Sequence, residues 1–172
     1  MRTHIHSSRG FTLIELITAI TIMALLSTVG IASFVNYSRS QQVFTATQNV
    51  VTALQLAKAN ASSQVKPASC ASETLSGYQV SIDANGNTYA LEAVCGESVD
   101  VSSRKTHPLG QSVMFSPGGT QTVFFRTVTG DVVITQPGTT IQIEHTDIDA
   151  LNDGGSLTKT ITVETDGRIH VE

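Results

Sequence analysis

Leu16 to Val35 is a run of 20 residues without a single charge, and it constrains the chain more than any other feature. At about 1.5 Å of rise per residue, a helix of this length spans the roughly 30 Å hydrocarbon core of a bilayer. The first ten residues of the chain carry Arg2 and Arg9 as their only charged side chains. Basic flanks stay in the cytoplasm, so the rest of the chain is expected on the far side of the inner (cytoplasmic) membrane, as a single-pass protein.

Two ordinary readings compete. One is a secretory signal peptide, with Gly30-Ile31-Ala32 ahead of Ser33 as a small-x-small cleavage site. The other is a plain anchor. Neither has a use for Glu15, a carboxylate beside an apolar run. Such a group costs about 2.5–3.5 kcal/mol near a bilayer centre, less near an interface, and is by default functional. A cut after Gly10 would give Phe11 a free amine four residues before Glu15. Between two chains staggered along their axes, the amine of one meets the Glu15 carboxylate of another. The pairing neutralises both charges in lipid and sets the register of a repeating, non-closing contact.

Gly10-Phe11-Thr12-Leu13-Ile14-Glu15-Leu16 resembles the leader and cleavage motif of type IV pilins and type II secretion pseudopilins. The resemblance implies a leader over residues 1–10, cleavage by prepilin peptidase between Gly10 and Phe11, and N-methylation of Phe11. It also implies that Glu15 sets assembly register. The expected partners are other pilin or pseudopilin subunits, the peptidase, an inner-membrane assembly platform and membrane lipid. Many major pilins carry a kinking Pro at the twenty-second mature position; Ala32 stands there in this chain.

From Asn36 to Val65 there is no Pro or Gly, and Val43, Thr47, Val50, Leu54, Ala57, Ala61 and Val65 recur on one face of a helix. Phe44 and Val51 widen that stripe, which is read as packing onto a globular domain. The helix is therefore divided into a transmembrane half, 11–35, and an amphipathic half, 36–66, with Pro67 as its stop.

Residues 67–172 switch to period two, with about eight short strand candidates between turn signals such as Asp83-Ala84-Asn85-Gly86-Asn87 and Ser116-Pro117-Gly118-Gly119. The expected fold class is α+β, a long N-terminal helix packed on a β-rich domain. Val113 to Gly119, Thr129-Gly130-Asp131-Val132, and Ile161-Thr162-Val163 followed by Asp166-Gly167-Arg168-Ile169 resemble the GspH/FimT class of minor pilins and pseudopilins. That resemblance implies two β-sheets on the C-terminal half of the helix and a minor subunit of a type IV pilus or type II secretion pseudopilus.

Other chemistry is sparse. Cys70 and Cys95 lie outside the cytoplasm on this reading, where an oxidised pair is the simplest state; two free buried thiols are the alternative. His107, His145 and His170 lack neighbours with metal-ligand spacing, and no Gly-x-Ser-x-Gly turn is present. The chain is thus expected not to be an enzyme and to need no metal or cofactor. Asp147, Asp149 and Asp153 form an oxygen-rich loop that suits calcium in type but lacks EF-hand spacing. Some FimT-like proteins bind DNA around the Gly-Arg turn. Here Arg168 is opposed by Glu164, Asp166 and Glu172, and the formal charge of −4 falls further once Arg2 and Arg9 leave. That balance argues against DNA as a partner. The alternative function is a membrane-anchored or secreted β-domain with a ligand- or DNA-binding role.

Overall fold

The computed structural model describes residues 10–127, 131–134, 140–146 and 157–172, with backbone alone at 28–30, 32 and 134. Asp147, Asp149 and Asp153, the turn at 129–130 and leader residues 1–9 lie outside the described residues. The chain divides into two compact units, 1–38 and 39–172, and helix α1, Leu13–Ser62, runs through the boundary.

In the first unit α1 is apolar on all sides. Leu13, Ile14, Leu16, Ile17, Ile20, Met23, Leu25, Leu26 and Ile31 are all at least half exposed. Among the described residues, no helix is long and apolar enough to cross a membrane. Residues 28–30 and 32 fall inside the uncharged run but outside the side-chain description. The expectation of a span over 11–35 therefore rests on the sequence run alone.

In the second unit α1 turns amphipathic. Val43, Ala46, Thr47, Val50, Val51, Leu54, Ala57 and Ala61 are buried. Thr47 keeps its hydroxyl satisfied by donating to the Val43 carbonyl at 2.7 Å. Two expected members of the stripe are not core. Phe44 is 49% exposed, because the domain covers that side of the helix at Val51 but not two turns earlier. Val65 is 50% exposed because the helix has already ended. Gln64 takes φ 51°, while its N–H donates to Ala61 O at 3.2 Å and Val65 N–H donates to Asn60 O at 3.1 Å. This is a Schellman termination, so the stop precedes Pro67 and the helix does not reach residue 66.

The β domain is built from nine described strands in two antiparallel sheets. The first sheet contains β1 (Leu75–Asp83), β2 (Thr88–Cys95), β3 (Ser98–Pro108), β5 (Thr120–Arg126) and β6 (Val132–Ile134), in the order β3-β2-β1-β5-β6. The second contains β4 (Val113–Ser116), β7 (Thr140–His145), β8 (Thr158–Val163) and β9 (Ile169–Val171), in the order β4-β7-β8-β9. The expected α+β class and two-sheet arrangement are observed. Inward residues of both sheets join one cluster with the helix stripe: Tyr78, Val80, Ile82, Leu91, Val123 and Phe125 from the first sheet, Phe115, Ile141, Ile143, Ile161 and Val163 from the second. Three polar contacts tie the same layers together. Tyr78 donates its hydroxyl to Val65 O at 2.8 Å, Lys58 Nζ donates to Gly167 O at 2.8 Å, and His145 Nε2 lies 3.3 Å from Gln42 Oε1.

β3 has no counterpart in the sequence reading. It is an edge strand with a bulge opposite Leu91 to Ala93, where the Ser103 hydroxyl, not a carbonyl, accepts the Ala93 N–H at 3.0 Å. Cys70, at the end of a single 3-10 turn Ala68–Cys70, is bonded to Cys95 at the end of β2, with Cα atoms 5.7 Å apart. The bridge closes a loop of 25 residues between the end of the helix and the first hairpin.

Two changes probe this packing. Replacing Cys70 and Cys95 together by Ser is expected to lower unfolding free energy by about 3 kcal/mol in the chain-entropy picture, read from urea denaturation. Gly77 is a close-approach site: a Cβ there would lie 2.6 Å from the Phe124 ring and closer still to the Phe125 carbonyl oxygen. Gly77→Ala is expected to cost about 1–3 kcal/mol by the same measurement.

Candidate functional site

The residues expected to matter most lie at the start of α1. Thr12 caps the helix: its Oγ1 accepts the Glu15 N–H at 3.3 Å and its carbonyl accepts the Leu16 N–H at 3.2 Å. The cap leaves Gly10 and Phe11 ahead of the first turn, with Phe11 82% exposed. A Cβ built on Gly10 meets nothing within 4 Å. Among the described residues nothing places a steric demand for glycine there.

Glu15 is exposed and sits in the first turn of α1. A carboxylate there favours the helix dipole by typically 0.3–1 kcal/mol at an aqueous surface. Among the described residues no cation pairs with it. The intermolecular contact expected for Glu15 lies beyond a single chain.

Other candidate residues fall elsewhere. Cys70, Cys95 and Asp100 offer donor atoms within 4.8 Å of one another, but both sulfurs are consumed in the disulfide. Asp100 is instead tied by hydroxyls: Ser102 donates at 2.6 Å and Ser69 also donates to it, and these bonds hold its carboxyl below the usual range. The three described histidines are dispersed. His107 stacks on Tyr89, with ring centroids 5.5 Å apart, His145 is buried beside Gln42, and His170 Nε2 lies 3.4 Å from Glu164. They form no common site.

Arg168 is occupied by acids from its own turn. Its Nε lies 2.7 Å from Asp166 and its terminal nitrogen 3.0 Å from Glu164. The Arg168 backbone N–H also donates to Asp166 at 3.0 Å, and this bond first, then the guanidinium charge, holds Asp166 below the usual carboxylate range. The turn that would meet a phosphate backbone is already neutralised from within.

Sequence reasoning did not reach a second cluster. Glu92 on β2 is 2% exposed, accepts from Gln79 on β1 at 2.6 Å and pairs with Arg104 on β3. Three adjacent strands contribute one residue each, and only the register of the sheet brings them together. Composition and local spacing hold no signal for it.

A carboxylate with a lowered pKa stabilises above its unfolded pKa, and that contribution is lost as pH falls through the folded value. The β8–β9 turn is thus expected to loosen below about pH 4. Asp166→Asn should lower the melting temperature at neutral pH and flatten the acid limb of a thermal-melt series, so that variant and parent converge as pH falls.

Residues 5–31 match the family model described as the prokaryotic N-terminal methylation motif. This motif is the type IV pilin and pseudopilin signal, and it supports a subunit of that kind processed by prepilin peptidase. No curated protein and no solved structure matches the chain.

Proposed function

We propose, from the methylation motif at residues 5–31, that this chain is a structural rather than catalytic protein, a minor pilin or pseudopilin of a type IV pilus or type II secretion pseudopilus. Prepilin peptidase cuts between Gly10 and Phe11, and the new amine of Phe11 is methylated. Residues 11–35 hold the subunit in the inner membrane, with the β domain outside the cytoplasm. An inner-membrane platform then passes it into a filament with other subunits.

One observation supports the processing step above the others. The Gly10–Phe11 bond precedes a capped helix, is exposed, and carries a glycine that no described residue requires. A glycine that none of the described residues demands is read naturally as one fitted to an enzyme pocket. For assembly, the support is the apolar surface of Leu13 to Ile31, which no part of this chain covers among the described residues. Lipid covers such a surface before assembly, and neighbouring helices cover it afterwards. Glu15 then meets the Phe11 amine of an adjacent subunit. The pairing removes the cost of holding an unpaired carboxylate against lipid and selects one stagger.

Intact mass and N-terminal sequencing of the mature protein from its native host test this reading. The expected N-terminus is Phe11, one methyl heavier than the unmodified residue. Ser33 would mean a secreted β domain, and Met1 a plain anchor. Gly10→Val is expected to fold normally yet retain the leader. Glu15→Ala is expected to be cut at Phe11 but to fall at least about tenfold in sheared filaments, since one lost pairing of about 1.4 kcal/mol suffices for that factor. Normal filament content in Glu15→Ala would sink the register role alone.

A further inference from the structure

The outer face of the first sheet carries a recess that the assembly reading does not use. Its residues are set by register. Ser81 on β1 is paired with Ala90 on β2, and Ala90 with Thr106 on β3, so three adjacent strands place them in one row. Two residues further along, Asp83 is paired with Thr88 on one side and Thr120 on the other. Ala90 is the shortest side chain of this array. The longer neighbours rise around it and leave a hollow of about 230 Å³, with Arg104 on its rim.

The chemistry of the lining narrows what fits. Among the described residues, no side-chain hydrogen bond engages the hydroxyls of Ser81, Thr88, Thr106 or Thr120. Each can donate and accept. The two charged groups are already held in place. Asp83 Oδ1 accepts the backbone N–H groups of Asn85 and Gly86, both at 3.1 Å, so the Asp83 side chain that lines the hollow is held by the turn. Arg104 is paired with buried Glu92, so it brings little net positive charge. An anion gains little there, and a lone carboxylate does not make a cation site. The volume lies below the roughly 300–1,000 Å³ of drug-sized pockets, so the occupant is a single ring-sized unit. We infer that the recess around Ala90 binds one neutral sugar ring, a polyhydroxylated ligand whose hydroxyls exchange bonds with Ser81, Thr88, Thr106, Thr120 and Asp83. No aromatic ring floors the hollow, so a single unit binds in the millimolar range.

The test uses the full chain in a detergent without a sugar headgroup and follows backbone amides by NMR. Galactose, glucose and N-acetylglucosamine are titrated separately to tens of millimolar. At least one is expected to give saturable shifts centred on Ser81, Ala90 and Thr106. Ala90→Leu, which fills the recess from the outer face, is expected to weaken binding by at least about tenfold. Thr106→Val, which keeps shape and removes one hydroxyl, is expected to weaken it less but measurably, and serves if Ala90→Leu disturbs the fold. Absence of saturable shifts with all three sugars would overturn the proposal, and so would shifts that persist unchanged in both variants. Neither variant touches residues 5–31, so failure here leaves the processing reading standing.

Discussion

The β domain depends on one stripe of one helix. Val50, Leu54 and Ala57 have no exposed surface, and both sheets send their inward residues to the cluster these side chains define. Each fully buried Val, Leu or Ile contributes about 1.5–3 kcal/mol, and the described inward residues of both sheets share this one cluster. Small residues do as much as large ones. Ala46, Ala57 and Ala61 are as fully buried as the larger members of the stripe, while Tyr78 and Lys58 hydrogen-bond between helix end and sheets. An antiparallel sheet with one polar face needs such a support on the other. Removing the helix would expose the inner face of both sheets at once.

How much of this was legible follows from how far apart the cooperating residues lie. The stripe from Val43 to Ala61 is a period of three and four within a single element, and it read correctly except at Phe44 and Val65. The end of the helix was misplaced because Pro67 is a conspicuous breaker, whereas the operative break is a Gln in the left-handed region, a conformation that favours Gly or Asn. The first hairpin read well because Asn85-Gly86 sits between two alternating runs. β3 did not, because its bulge breaks the alternation and its side chains are mostly exposed, which removes the hydrophobic signal. It pairs because β2 has a free edge, and that is a property of the sheet rather than of residues 98–108.

The same distinction separates the two candidate sites. Gly10 to Glu15 is consecutive, so its chemistry is written in order along the chain. The Glu92–Arg104–Gln79 cluster is written across β1, β2 and β3, and the hollow around Ala90 across those strands and β5, so both exist only once the strands are aligned. A one-residue slip of β2 would send Ala90 and Glu92 to the core and Tyr89 and Leu91 to solvent. The buried inner row therefore fixes the outer row as well, and polar chemistry on the exposed face inherits the precision of the apolar packing beneath it.

A chain with 14% charged residues has few charges to place. Glu92 is held by Arg104, Arg168 by Glu164 and Asp166, and Lys58 by a backbone carbonyl. Against that background Glu15 stands apart, an exposed acid opening an uncovered apolar helix. In water its position in the first turn suits the helix dipole, a gain of typically 0.3–1 kcal/mol. Against lipid an unpaired carboxylate carries a cost instead, and the dipole gives no reason to keep one there. Under the proposed assembly the balance is restored by a charge the unprocessed chain lacks, the amine created when the bond before Phe11 is cut. Cleavage then does more than remove a leader. It supplies the counter-charge for the acid, and so couples permission to assemble to the act of processing.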